Sequence, residues 1–197
     1  MLEPTKRDFA KVESIVRREK NVFEGMEVLL AHCEKRNPHP GWKAIARLKF
    51  EEDISAIESW LADTLRREPP PASIACFWVG IFNPVNSNGE ATCAFHLAGT
   101  NSFDPKDKSG DWLCDYTFNP SGGVAKSGVL DFLYKQAYRQ GGPGNFAEYE
   151  VGLGYTALAI RELCKKVDRK LLLGNAKTRG VAVGFDSGDF VVLESLK

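Results

Sequence analysis

Soft metal ligands are scarce in this 197-residue chain, which has three histidines (His32, His39, His96) and five cysteines (Cys33, Cys76, Cys93, Cys114, Cys164). The cysteine count is odd and no C-x-x-C pair occurs, which argues against both a disulfide framework and a zinc knuckle. The thiols are expected to be reduced and mostly buried, with no metal or other cofactor held. Charge of one sign is missing as well. Lys plus Arg and Asp plus Glu each total 26, so bulk electrostatics give no reason to expect a nucleic-acid partner. No apolar run approaches the roughly 18 residues of a membrane helix, and no membrane partner is expected. The opening MLEPTKRDFAKVESIVRREK has charges every few residues and no apolar core of signal-peptide length, so the expected location is the cytoplasm. There is no Walker loop, no G-x-S-x-G elbow, no H-E-x-x-H and no complete G-x-G-x-x-G. GLGYTA, at 152–157, has only two of those glycines and lies inside a helical pattern.

What is present is the balance of a globular protein, 43% apolar and 26% charged, at a length that suits one domain. Residues 1–68 read as its helical part. Phe9, Val12, Ile15 and Val16, then Val22, Met26, Leu29 and Leu30, form an apolar stripe interrupted near Asn21, and NPHPG at 37–41 ends it. A second helix lies in FEEDISAIESWLADTLRRE, with acids in its first turn and arginines in its last, and Pro69-Pro70-Pro71 stops it. Residues 73–197 read as the sheet-containing part. Strands are expected at about 73–82, 91–98, 170–174, 180–186 and 189–195, the first two as an antiparallel hairpin around NPVNSNGE. Helices are expected in SGVLDFLYKQAYRQ and in NFAEYEVGLGYTALAIRELCKKVD. Gly152 and Gly154 suggest that the latter packs closely against a strand. The fold class is therefore α+β, with N-terminal helices, a mainly antiparallel sheet carrying helices, and a C-terminal β-hairpin.

In that hairpin, GVAVGFDSGDFVVLES, Val181, Val183 and Phe185 share one face. On the return strand Phe190, Val192 and Glu194 share a face, with Val191 and Leu193 on the other. Asp186-Ser187-Gly188 fits a three-residue loop, a type I turn followed by a left-handed glycine. Asp186 and Asp189 project from its tip, within reach of a partner.

The candidate sites are few. Cys93 and His96, three apart on a strand, point to opposite faces and cannot form a nucleophilic pair. Glu148 and Glu150 offer carboxylates whose spatial separation the sequence does not give. The polar loop at 101–119 holds Asp104, Asp107, Asp111 and Asp115. Read as an EF-hand from Asp107, it puts Trp112 where the glycine belongs and Phe118 where the bidentate glutamate belongs, so the motif fails. A small metal-dependent hydrolase using these aspartates in another geometry is the alternative reading. Trp112, Tyr116 and Phe118 either tack the loop to the core or, beside the acids, form a protein-binding surface. The expected partner contacts are Asp104, Asp107, Asp111, Trp112, Asp115 and Tyr116, joined by Asp186 and Asp189.

Taken in order, HLAG, DWLCDYTFNP, FAEYEVGLGYTALAIRE and RGVAVGFDSGDFVVL resemble a group of small bacterial immunity-type proteins, encoded beside toxins of interbacterial competition such as type VI or contact-dependent systems. The resemblance covers about Ser73 to Leu196 and leaves the N-terminal helices unmatched. It implies action by tight binding to a cognate toxin and no catalysis. For a cytoplasmic chain, it further implies a toxin that acts there, such as a nuclease, an NAD-degrading enzyme or a protein-modifying enzyme. Occlusion of the toxin's active site by the acidic loop and allosteric distortion both stay open.

Overall fold

The computed structural model describes residues 3–89, 92–107, 109–186 and 188–197. The chain opens with α1 (Lys6–Arg18) and α2 (Val22–Arg36). Thr5 and Asp8 form a capping box at the start of α1, and Asn21, where the stripe breaks, caps α2 through Glu24 N at 2.9 Å. A one-turn helix α3 (Trp42–Ile45) and the long α4 (Phe50–Arg67) follow. The sheet then begins with β1 (Cys76–Phe82) and β2 (Ala94–Thr100), the expected antiparallel hairpin, in register Phe82↔Ala94 to Cys76↔Thr100. The start of the second strand, expected at Ala91, lies outside the described residues.

Two short strands, β3 (Tyr116–Phe118) and β4 (Val124–Lys126), share the outer edge of β2, at its far and near ends. Helix α5 (Gly128–Tyr138) leads through a π-helical turn at Phe146–Val151 into α6 (Gly152–Lys166). Then come α7 (Arg169–Leu173), β5 (Arg179–Phe185) and β6 (Phe190–Leu196). The sheet order is β3–β2–β1–β5–β6, and the central β1–β5 pairing is parallel while the other described pairings are antiparallel. Both central strands are buried on both faces and read as nearly continuous apolar runs, CFWVGIF and RGVAVGF, as a parallel pair requires.

Three expectations are corrected. Residues 170–174, expected as a strand, form α7, because Asp168 accepts from Lys170 N at 2.9 Å and caps a helical turn that Gly174 ends at φ 55°. Glu194 does not continue the face of Phe190 and Val192. A bulge between Val181 and Ala182 leaves Leu193 as the extra residue and sets Glu194 opposite Val181, on the core side. The close packing of α6 at its glycines is against a helix. A Cβ on Gly154 would meet Leu29 Cδ2 of α2 at 2.4 Å, and one on Gly25 of α2 would meet Leu158 Cδ1 of α6 at 2.5 Å.

One face of the sheet, with Phe77, Val79, Ile81, Phe95, Leu97 and Val183, belongs to a core shared with the N-terminal helices and α6. The opposite face carries a smaller cluster, Cys76, Trp78, Ala98 and Ala182, under Trp112 and Leu113. At the hairpin tip Phe185 N donates to Asp189 O (3.2 Å) and Gly188 N to Phe185 O (3.2 Å), the pattern of a three-residue loop. Ser187, and with it the expected type I turn, lies outside the described residues, whereas Gly188 does not stand among the glycines at positive φ, so the left-handed residue expected there is not seen.

Candidate functional site

The loop at 101–119 crosses half of the sheet's second face and is fastened there. Gly110, at φ 75°, turns the chain into a 3₁₀ turn at Asp111–Leu113. This drops Trp112 between Phe103 (centroids 5.2 Å apart, interplanar angle 81°) and Phe190 (6.0 Å, 89°), edge to face with both. Side-chain bonds stiffen the rest: Asp104 accepts from Lys106 N (2.9 Å), Asp107 from Ser109 N (2.8 Å) and Oγ (2.9 Å), and Asn101 Oδ1 from Thr117 Oγ1 (2.9 Å). Trp112, expected as a partner contact, is 8% exposed. It is the loop's anchor, because its indole area is worth more under the loop than in water. Phe118 is likewise buried, whereas Asp104, Asp111, Asp115 and Tyr116 are exposed.

Beyond the loop, three polar groups converge on the same face above Gly80. A Cβ placed there would lie 2.2 Å from Asp186 Oδ1, 2.3 Å from His96 Nε2 and 2.7 Å from Trp78 Nε1, so glycine in mid-strand is what admits them. His96 Nε2 and Asp186 Oδ1 are 2.8 Å apart, the imidazole N–H donating to the carboxylate. The Trp78 indole N–H, buried, has no acceptor among the described residues. At the neighbouring Tyr116 hydroxyl, burial and then the Asp186 charge push the pKa above its ordinary value. The His96 ring sits edge to face with Phe82 (5.7 Å) and Tyr116 (6.0 Å), and the exposed Val124 is its cross-strand neighbour. The pairing of His96 with Asp186, ninety residues apart, follows from the register of β2 on β1 and of β1 on β5. Its one trace in the sequence is a glycine inside an apolar strand.

The remaining acids fall elsewhere. Asp107 and Asp189 line a hollow of about 180 Å³ with Phe9, Glu13, Arg17 and Phe190. Asp189 also accepts from Tyr149 OH, whose ring stacks on Phe185 at 5.1 Å. Among the described residues no three His, Cys, Asp or Glu side chains are placed to share a metal ion. Cys93 lies on the core side, where burial pushes its thiol up to about 12, while His96 lies on the other face. Glu148 accepts from Tyr138 OH. Glu150, fully buried, has no partner for either carboxylate oxygen among the described residues, and burial, followed by the nearby Asp8 charge, pushes it up to about 8.

No family model, curated protein or solved structure matches the chain.

Proposed function

We propose that this protein acts by binding another protein, as an immunity-type inhibitor that neutralises a toxin of interbacterial competition by stoichiometric association. The observation that carries the reading is the construction of the 101–119 loop. Trp112 and short side-chain turns fix its backbone, while Asp104, Asp111, Asp115 and Tyr116 remain at the surface. A loop ordered before association loses little freedom on binding. Tyrosine is among the residues that dominate interface energetics, and fixed carboxylates favour a partner with a basic face and speed encounter with it. Beside the loop, the exposed Asp186 and Val124 extend the same surface. The toxin in this proposal acts in the cytoplasm, as a nuclease, an NAD-degrading enzyme or a protein-modifying enzyme.

Co-purification with the product of the adjacent gene tests the reading. The expected result is a stoichiometric complex that Tyr116→Ala and Asp115→Lys each weaken by about tenfold or more, with unchanged thermal midpoints and a loss of protection in cells. The reading fails if no neighbouring product binds and deletion of the gene leaves cells as resistant to a sister strain as before.

A further inference from the structure

The N-terminal helices carry a second surface, to which the 101–119 loop contributes no residue. Between α2 and the α3–α4 corner lies a groove of about 480 Å³ with Met26, Leu30, Trp42, Leu48 and Phe50 at its floor and wall. Phe23 stands at one end, 51% exposed, its ring edge-on to Phe50 at 6.2 Å. A phenyl ring left in water at the mouth of an apolar groove forgoes on the order of 25 cal/mol for each Å² not covered. The lining residues of α2 run from Phe23 to Glu34, a length of about 16 Å, or three turns.

The rim is charged in a pattern. Glu27 and Glu34 are both exposed, seven residues apart and hence about 10 Å along the axis on one side of α2. Neither has a hydrogen bond or ion pair among the described residues, unlike Glu13, Glu52 and Glu162, which face Arg17, Lys49 and Lys166. Lys43, exposed on the facing wall, has no hydrogen bond or ion pair among the described residues either. The groove thus has an apolar floor, an exposed aromatic at its mouth and two unanswered carboxylates at the i, i+7 spacing of a helix lying along α2.

We propose that this groove receives an amphipathic helix of a partner protein whose apolar face is flanked on one side by basic residues two turns apart. The apolar face packs on Phe23, Leu48 and the exposed Ala31 and Ala46, above the buried Trp42, as in other helix-in-groove complexes. Cations meet Glu27 and Glu34, and Lys43 repels a basic residue on the opposite flank, which selects one orientation. The surface is separate from the acidic loop, so the inference stands or falls independently of the toxin reading.

Fluorescence anisotropy of two labelled peptides of about 15 residues, long enough to form helix, tests it on the full chain. One has a leucine face with lysines seven residues apart; the other has glutamates in place of the lysines. The expected outcome is saturable binding of the lysine peptide, about tenfold or more tighter than the glutamate peptide. The double variant Glu27→Lys/Glu34→Lys abolishes that preference, and Phe23→Ser weakens binding about fivefold or more. All three side chains are exposed, and circular dichroism confirms that the variants fold. Equal binding of the two peptides, no saturation by the lysine peptide, or unchanged affinity in the variants overturns the proposal. So does self-association without peptide that Phe23→Ser abolishes, because the groove would then belong to a second copy.

Discussion

Arg179 is the largest fully buried side chain among the described residues. Its guanidinium donates to the carbonyls of Ile74 (3.0 Å), Leu172 (2.5 Å) and Pro71 (2.9 Å) and lies 4.7 Å from the centre of the Phe77 ring. Burial lowers its pKa to about 10, so it stays cationic at neutral pH and ties the segment before β1 to α7. Arg179→Met leaves three carbonyls without a donor. At about 1–3 kcal/mol for each unsatisfied group before relaxation, urea denaturation should show a loss on the order of 3–5 kcal/mol. Glu150 has the opposite effect on stability. Its folded pKa, about 8 against an ordinary 4.5, means that between those values the unfolded chain releases a proton that the folded chain keeps. Stability therefore falls as pH rises through that window. Glu150→Gln should match the parent near pH 4.5 and exceed it near pH 8 by on the order of 3 kcal/mol in denaturant melts. Neither role was legible in the sequence. A lone arginine before an apolar strand and a glutamate in a helix look like surface residues until tertiary packing encloses them.

Elements were legible where local chemistry was unambiguous and misread where it was not. The break at Asn21, the acid-to-base polarity of α4 and the β1–β2 hairpin all appear in the structure because caps and turns are written in adjacent residues. KLLLG was ambiguous, since a short apolar run suits a strand or a helix equally; the Asp168 cap and the Gly174 stop decided it. The 101–119 loop offered no periodicity because its order comes from Trp112 reaching across to β6, a contact between residues far apart in the chain. Trp112→Ala should therefore act on an element. It should cost about 3–5 kcal/mol and speed amide exchange at 104–114 well before the central strands respond. Of the candidate site, the exposure of Tyr116 and the aspartates could be anticipated, but the burial of Trp112 and the His96–Asp186 bond could not.

At the scale of the molecule, the α+β class and the terminal hairpin followed from element order, whereas the strand order did not, because Cys76 pairs with Gly180 across the intervening helices. Such non-local pairing slows folding relative to helical bundles. The core draws on both ends of the sequence: Val12, Ile15, Met26 and Leu29 share one cluster with Leu153, Leu158 and the sheet. A fragment of residues 69–197 should therefore retain much of its far-ultraviolet circular dichroism but lose its near-ultraviolet signal and bind a hydrophobic dye. A sharp, cooperative melt of that fragment would contradict the shared core. The crossing of α2 and α6 adds a consequence for descent. Gly25 makes room for Leu158 and Gly154 for Leu29, so the two helices fit by exchanging small for large at two places. A lineage that enlarges position 25 must shrink position 158, and one that enlarges 154 must shrink 29. A distant cousin with an altered surface should still show that paired bookkeeping of volume.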